Sequence, residues 1–241
     1  MPIRAVIWDI DDTLFDYDHA ERDAALGHLE AEGCLAAYGS PEAAIAHWRA
    51  VMEQAFGRFT SREITFAEHR RERVRTVLAA TRSGRRLTDE EADAWYARYE
   101  KRYEAVWRLF PDVLPALDAL TPAYRHGVLS NSSLHSQERK LRLFGIHDRF
   151  EVILCADELG LAKPAPEAFH AACEALGVRP DEAAYVGDRP DVDALAATAA
   201  GLTGIWIDRA GTLPAPPGLP RIDTLAQLPR VLLGKPVRTT G

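Results

Sequence analysis

The chain opens with a short apolar run, residues 3–8, that stops at Asp9. Its β-branched and aromatic side chains predict a short buried strand. The stretch from about Tyr17 to Trp107 predicts a long helical region. Beyond Phe110, short apolar runs alternate with helical stretches. The predicted strands there are 127–129, 152–155, 184–186 and 203–207, and the predicted helices lie near 114–120, 136–144, 166–176 and 191–199.

Capping residues divide the helical region into separate helices. Ser40 followed by Pro41 predicts a helix start, because Ser satisfies free backbone donors and Pro fits the first turn. Thr65 and Thr88 are each followed three residues later by Glu, which is the capping-box spacing of a helix start. The predicted breaks between helices are Gly57 and Ser83-Gly84.

The alternation of strands and helices indicates a parallel sheet with helices on both faces, because parallel strands need crossover connections. The first strand is expected to join that sheet, which makes the helical region an insertion. We therefore expect an α/β protein with a Rossmann-like core at residues 1–15 and 110–241 and a helical insertion at residues 16–109. The Pro- and Gly-rich segment 210–220 predicts a surface loop.

Composition and charge limit the classes of partner. The formal net charge of −7 argues against binding to a nucleic-acid polymer, whose phosphates are held mainly by Lys and Arg. No apolar run approaches the roughly 18 residues of a membrane span. The three cysteines form no CxxC pair, which indicates reduced thiols rather than a zinc site or a disulfide. We expect a cytoplasmic protein without a membrane partner, and both a monomer and a homodimer remain open.

Two carboxylates follow the first predicted strand directly, at Asp9 and Asp11. Ligands of parallel sheets bind beyond the carboxyl ends of the strands, where these residues are expected. One carboxylate can attack as a nucleophile while the other transfers a proton, and the pair can attract a hard divalent cation. A helix cap or an acidic turn is the alternative explanation of the same spacing.

Further polar residues stand at the ends of the later strands. Ser130 and Asn131 offer a hydroxyl and an amide that can bind an anionic oxygen. Lys163, before a proline, can neutralise a phosphoryl group. Asp188 follows Gly187 and adds a carboxylate where a metal would need one. Taken singly, each is equally consistent with a turn or a solvated loop.

The joint pattern is more specific than its parts. The Asp pair, Ser130, Lys163 and the Gly-Asp pair occur in chain order, each at a predicted strand end. In this pattern the whole chain resembles the haloacid dehalogenase-like (HAD) hydrolase superfamily. The segment IWDIDDTLFDYDHAE and the length of the helical region look most like its small-molecule phosphatases, of the nucleotidase and sugar-phosphatase type. The resemblance implies that residues 16–109 form an α-helical cap domain.

The resemblance implies roles for the residues of the first loop. Asp9 would be the nucleophile that forms an aspartyl-phosphate. Asp11 would be the general acid for the leaving alcohol and then the base that activates water. Thr13 would support the loop around the bound substrate and the geometry of proton transfer.

The resemblance also implies a phosphate site and a metal. Ser130 and the backbone at Asn131 would bind the phosphoryl oxygens, and Lys163 would neutralise their charge. Mg²⁺ would be held by Asp9, the backbone carbonyl of Asp11, and Asp188, while Asp193 would orient water or Lys163 from behind. Two positions depart from the family's usual residues: Ala165 stands where Asp is common, and Val192 where Asn is common. These departures leave the outer metal shell less defined, and Asp191 could compensate for them.

The resemblance implies a Mg²⁺-dependent phosphatase for a small soluble phosphomonoester, with a nucleoside monophosphate as the preferred substrate class. A sugar-phosphate phosphatase and a phosphomutase are alternatives with the same core residues. A haloacid dehalogenase is opposed by Asp11 and Asp188, since a departing halide needs neither a proton nor Mg²⁺. A non-catalytic binding protein is opposed by the presence of all the core residues, since such a protein would not need Asp9 or Lys163.

Two features of the helical region each have two possible explanations. Trp95, Tyr99 and Tyr103 recur every four residues, which predicts internal packing or, alternatively, a platform for stacking a nucleobase. The charged run 68–75 predicts a solvated helix face or, alternatively, a basic face that attracts phosphorylated substrates.

Overall fold

The computed structural model describes residues 2–61, 63–81, 87–211 and 216–234. The chain divides into two compact units, one formed by Met1–Asp16 with Arg108–Gly241 and the other by Tyr17–Trp107. Within the described ranges, no helix has both the length and the apolar character needed to cross a membrane.

The first unit is built on a six-stranded sheet. The strands are β1 Ala5–Trp8, β2 Arg125–Ser130, β3 Val152–Cys155, β4 Ala183–Gly187, β5 Thr203–Ile207 and β6 Arg221–Ile222. Their order in the sheet is β3-β2-β1-β4-β5-β6, and the strand pairs are parallel. The first strand in the chain lies inside the sheet, where Trp8 pairs with Val128 on one side and with Val186 on the other. The predicted α/β class with a parallel-sheet core is confirmed.

Helices occupy most of the second unit and connect the strands of the first. In chain order they are α1 Tyr17–Ala31, α2 Pro41–Thr60, α3 Phe66–Ala79, α4 Asp89–Ala105, α5 Val113–Leu120, α6 Leu134–Leu143, α7 Ala156–Leu159, α8 Pro166–Ala175, α9 Leu195–Ala199 and α10 Leu228–Leu232. Short 3₁₀ turns lie at Leu35–Tyr38, His147–Arg149, Pro180–Glu182 and Leu225–Gln227, and a π-helical turn at Pro190–Ala194 precedes α9.

The three predicted helix starts are confirmed. Ser40 caps α2 through its hydroxyl, and both Thr65 and Thr88 form complete capping boxes. The predicted break at Gly57 is wrong, because this glycine lies inside α2, which continues to Thr60. A glycine costs a helix only about 1 kcal/mol relative to alanine, so flanking residues can carry the helix through it. The other predicted break, Ser83-Gly84, and part of the predicted loop 210–220 lie outside the described residues.

The aromatic residues of α4 belong to the interior of the helical unit. Trp95 and Tyr99 are buried with Trp48 in its apolar core, which agrees with the packing explanation of their spacing. The charged run of α3 is only partly a solvated face. His69 and Arg73 are buried, whereas other arginines of the run form ion pairs with carboxylates of α4. An amphipathic helix buries whichever residues lie on its inner face, and here that face includes charged ones.

Asp112, just before α5, joins three separated parts of the first unit. Its carboxylate accepts hydrogen bonds from both Nη atoms of Arg209, each at 3.1 Å, and from the hydroxyl of Thr224 at 2.7 Å. Arg209 also donates to the backbone carbonyl of Thr13 at 2.6 Å. Asp112 therefore connects the loop after β1 to the segments that flank β6.

Substitution Asp112→Ala is expected to lower the free energy of unfolding by about 2 kcal/mol, because it leaves partly buried donors unsatisfied. Burial alone would raise the pKa of Asp112, but hydrogen bonds from Arg209, Thr224 and the backbone at Leu225 hold it below its usual value. A depressed folded-state pKa stabilises the protein above the unfolded pKa, so the difference should shrink below about pH 4. Urea denaturation at several pH values measures this, with exposed Asp118→Ala as the near-neutral control.

Candidate active site

The predicted site residues converge because the strands that precede them are neighbours. β2, β1 and β4 lie side by side and point in the same direction, so their carboxyl ends meet at one edge of the sheet. The backbone N–H of Asp9 donates to the carbonyl of Val186 at 2.9 Å, which extends the sheet pairing to the start of the loop.

The loop after β1 is a tight turn. The backbone N–H groups of Leu14 and Phe15 both donate to the carbonyl of Ile10 at 2.9 Å. Asp12 sits at a φ of 55° in the left-handed region, which Asp tolerates better than most residues. Thr13 is fully buried, and its hydroxyl has no hydrogen-bond partner among the described residues. A buried hydroxyl of this kind is available to a bound group.

Lys163 supplies a buried positive charge beside Asp9. Its Nζ lies 2.9 Å from a carboxylate oxygen of Asp9 and 2.7 Å from one of Asp193. It also donates to the hydroxyl of Tyr185 at 2.6 Å. Burial opposes the charged lysine, but the carboxylates of Asp9 and Asp193 outweigh it and raise the pKa of Lys163. The lysine is therefore charged at neutral pH.

Asn131 holds the lysine loop in place. Its side-chain amide donates to the carbonyl of Lys163 and accepts from the N–H of Lys163, both at 2.8 Å. The Lys163 backbone therefore uses the Oδ1 and one of the two Nδ2–H groups of Asn131, and the expectation that this amide binds an anionic oxygen stays a prediction. The backbone at Asn131 remains the group that the family resemblance assigned to the phosphate. Ser130, at the end of β2, is buried, and its hydroxyl accepts from the N–H of Ser132 at 3.3 Å.

Three carboxylates meet at this edge of the sheet. Oxygens of Asp9, Asp188 and Asp193 all lie within 4.8 Å of one another. Burial raises the pKa of Asp9 and of Asp188, and the neighbouring carboxylates raise both further, although Lys163 works against this. If all three are ionised, the carboxylates outnumber the single ammonium by two, and the raised pKa values of Asp9 and Asp188 partly reflect that repulsion. The donor set therefore fits a divalent cation that prefers oxygen ligands.

Asp188 and Asp193 are placed by the turn after β4. The indole N–H of Trp206 donates to the carbonyl of Asp188 at 2.8 Å. Gly187 lets Asp193 approach, since a Cβ at Gly187 would lie 2.4 Å from the Asp193 carboxyl carbon. Asp193 contacts Lys163, as the resemblance implied for a residue behind the metal. Asp191 is 70% exposed, lies 3.8 Å from Arg189, and is not part of the carboxylate group.

Asp11 is bound by two side chains of α6 that the sequence analysis did not single out. The ammonium of Lys140 forms an ion pair with one carboxylate oxygen, and the amide of Gln137 donates to the other at 2.8 Å. Gln137 and Lys140 stand three residues apart, beside the buried Leu141. The signal that could have identified Gln137 and Lys140 is the presence of polar residues on the inward face of an amphipathic helix. Tyr185, in the middle of β4, was also missed.

Comparison with known proteins identifies the family. The sequence profile of the haloacid dehalogenase-like hydrolases matches residues 3–201. The chain belongs to this family. The predicted family is thereby confirmed.

Two curated relatives are phosphatases. The chain is 30% identical over 210 residues to glyceraldehyde 3-phosphate phosphatase from Methanopyrus kandleri, covering 86% of this chain and 84% of the relative. It is 34% identical over 190 residues to phosphoserine phosphatase from Thermus thermophilus, covering 77% of this chain and 66% of the relative. Family membership and these relatives confirm the predicted enzyme class, a HAD-like phosphoric monoester hydrolase.

A solved structure shows the same fold with a different activity in its name. The 2-haloacid dehalogenase from Pseudomonas syringae is 28% identical to this chain, with a TM-score of 0.69, and covers 96% of this chain and 99% of its own. Similarity of fold therefore does not separate the two chemistries within the family, and the site residues must do so.

Proposed function

We propose that the protein is a Mg²⁺-dependent phosphatase that hydrolyses a small phosphomonoester through an aspartyl-phosphate on Asp9. The observation that carries this proposal is the buried ammonium of Lys163, 2.9 Å from Asp9, beside a group of carboxylate oxygens from Asp9, Asp188 and Asp193 that lie within 4.8 Å of one another. A carboxylate can attack a phosphate dianion only where positive charge offsets the repulsion between them.

In the first half of the reaction, a carboxylate oxygen of Asp9 forms a bond to phosphorus while the bond from phosphorus to the alcohol oxygen breaks. Asp11 gives its proton to the departing alcohol oxygen. Lys163, Ser130 and the backbone at Asn131 bind the phosphoryl oxygens and hold the phosphorus in line with Asp9.

In the second half, water attacks the phosphorus of the aspartyl-phosphate. Asp11, now ionised, accepts the proton of that water, and the bond between phosphorus and Asp9 breaks. Inorganic phosphate leaves, and both carboxyl groups return to their starting states. The same carboxylate therefore serves as acid and then as base.

The residues that would hold Mg²⁺ are Asp9, the backbone carbonyl of Asp11, and Asp188. Bound there, the ion would supply positive charge to the phosphoryl oxygens. Asp193 would keep Lys163 in place through their 2.7 Å contact. Trp206 fixes the backbone of Asp188 and hence the direction from which its carboxylate approaches.

The substrate class that we propose is a phosphorylated small metabolite of the sugar-phosphate or phospho-amino-acid type. The named relatives that act on glyceraldehyde 3-phosphate and phosphoserine support this class. A nucleoside monophosphate, which the family resemblance favoured, is the alternative, and the aromatic residues Trp95 and Tyr99 give it no support because they are buried in the interior of their own unit. We propose that the helical unit Tyr17–Trp107 is the cap that selects among such substrates.

A dehalogenase is the second candidate, since one fold neighbour carries that activity in its name. Two features of this chain favour the phosphatase instead. Asp11 places a carboxyl group two residues after Asp9, where a leaving alcohol needs a proton and a halide does not. The group of Asp9, Asp188 and Asp193 carries negative charge that halide displacement does not require.

Phosphate release from a panel of esters tests this function. The panel holds glyceraldehyde 3-phosphate, phosphoserine, glucose 6-phosphate, nucleoside monophosphates and 4-nitrophenyl phosphate, and 2-chloropropionate is assayed for halide release. We expect Mg²⁺-dependent phosphate release that EDTA abolishes and excess Mg²⁺ restores, and no halide release. Calorimetry should also detect Mg²⁺ binding that Asp188→Asn weakens by at least about tenfold.

Two outcomes would contradict the proposal. Halide release without a metal would identify a dehalogenase. Full phosphate release in EDTA, from protein shown to be metal-free, would show that the protein is a phosphatase whose reaction does not require a metal. The surface variant Asp191→Asn is the matched control for Asp188→Asn, because its carboxylate is exposed and lies outside the group.

A further inference from the structure

We propose that Lys140 and Gln137 are positioning residues for Asp11, holding its carboxylate where it can exchange a proton with the leaving oxygen and with water. This inference deepens the proposed function and rests on it. Both side chains come from α6, at positions three apart that share one face of the helix.

Lys140 contacts Asp11 from a buried position. Its side chain is 3% exposed, and its Nζ forms an ion pair with Oδ1 of Asp11. The same ammonium lies 4.4 Å from the centre of the Phe15 ring, and Phe15 is itself fully buried at the end of the turn that carries Asp11. The lysine is therefore confined between the turn and the helix.

Gln137 fixes the other oxygen of Asp11. Its Nε2 lies 2.8 Å from Oδ2 of Asp11 and 3.0 Å from the hydroxyl of Ser130. One amide group thus spans the residue proposed to transfer protons and the residue proposed to bind the phosphate. Its own carbonyl oxygen is buried without a hydrogen-bond partner among the described residues.

Packing alone does not account for this pair. Burying a lysine and a glutamine costs free energy that an apolar residue on the same face, such as the adjacent Leu141, does not cost. Asp11 compensates part of this cost for both, since each of its two oxygens receives one of the donors. A carboxylate bound at both oxygens has lost its rotational freedom before substrate arrives, and such preorganisation contributes to catalysis directly.

The consequence is specific to steps in which Asp11 moves a proton. Phosphate binding depends on Ser130 and Lys163, so the loss of Lys140 should lower kcat and leave KM nearly unchanged. An alkyl phosphate releases a strongly basic oxygen that needs the proton. 4-Nitrophenyl phosphate releases a weakly basic phenolate that does not, so its kcat/KM should be much less sensitive to the position of Asp11.

The test compares wild type with Lys140→Met and Gln137→Met on the best alkyl phosphate of the panel and on 4-nitrophenyl phosphate. For Lys140→Met we expect kcat/KM to fall by about 10- to 100-fold for the alkyl ester and by less than about threefold for the nitrophenyl ester. Gln137→Met also loses its contact with Ser130, so we expect it to lower kcat/KM for both esters, with a larger loss on the alkyl ester. Lys140→Arg keeps a charged donor and should recover part of the loss. Asp11→Asn should show the same preference for the better leaving group, with a larger effect.

Arg142→Met is the matched control, since Arg142 lies on the same helix, is 58% exposed and pairs only with Glu138 among the contacts described for it. Equal losses on both esters, or a gain in turnover on removing Lys140, would overturn the positioning role. If Lys140→Met does not fold, Gln137→Met carries the comparison. A wild type that hydrolyses neither ester would overturn the proposed function itself, which is a distinguishable result.

Discussion

Substitution Asp9→Asn is expected to lower phosphate release by at least about four orders of magnitude, because an amide cannot form the bond to phosphorus. The fold should survive the change. Asn has nearly the same shape, and burial already disfavours the charge of Asp9, as its raised pKa indicates. Steady-state turnover on the best substrate of the panel, with thermal unfolding of the same samples, measures both expectations.

A covalent label separates this interpretation from a general loss of the site. Wild type quenched in acid during turnover of a ³²P-labelled substrate should retain label on the protein, and the Asp9→Asn variant should retain none. Asp191→Asn, the same chemical change at an exposed position, should behave like wild type. Turnover by Asp9→Asn close to that of wild type would mean that another group attacks the phosphorus.

Substitution Lys163→Met is expected to reduce both activity and stability. It removes the ammonium that contacts Asp9 and Asp193 at 2.9 and 2.7 Å and leaves both carboxylates buried without that partner. Breaking a buried ion pair from one side typically costs about 3–5 kcal/mol of stability. Loss of a charge that faces the transferring phosphoryl group typically costs about 10²- to 10³-fold in kcat.

The loss of stability and the loss of activity in Lys163→Met can be separated by a second substitution. A double variant, Lys163→Met with Asp193→Asn, removes one stranded carboxylate and should regain part of the lost stability in urea denaturation. It should not regain activity, since the positive charge near Asp9 is still absent. Recovery of turnover in the double variant would show that Lys163 acts only through the fold.

Much of the core could be predicted because its determinants are local. β3 and β5 are short runs rich in β-branched residues, one preceded by Glu151 and the other followed by Asp208, and both strands were predicted with the ends that the structure has. The capping residues Thr65 and Thr88 determine where their helices start. β6 was missed because it is only two residues long, and one of them is Arg221.

The site residues that could be predicted from the sequence are those at the ends of strands. Asp9 and Asp188 directly follow β1 and β4, Ser130 is the last residue of β2, and parallel pairing alone brings such residues to one edge. Side-chain direction is not determined by that pairing. Asn131 turns toward the backbone of Lys163, and Lys140 reaches Asp11 across 129 positions of sequence. Contacts of that kind depend on how a helix packs on the sheet, and no local pattern encodes them.

The place of β1 inside the sheet also bears on how the chain folds as it is synthesised. β1 is synthesised before its two sheet partners, and Val128 and Val186 follow only after the whole helical unit. Until then its apolar residues have no sheet to join, and unpaired strands of this kind invite aggregation. Closure of the sheet around β1 spans more than a hundred residues, which makes it a slow, late event. The nascent chain therefore has its greatest need of a chaperone between the synthesis of the helical unit and that of β4.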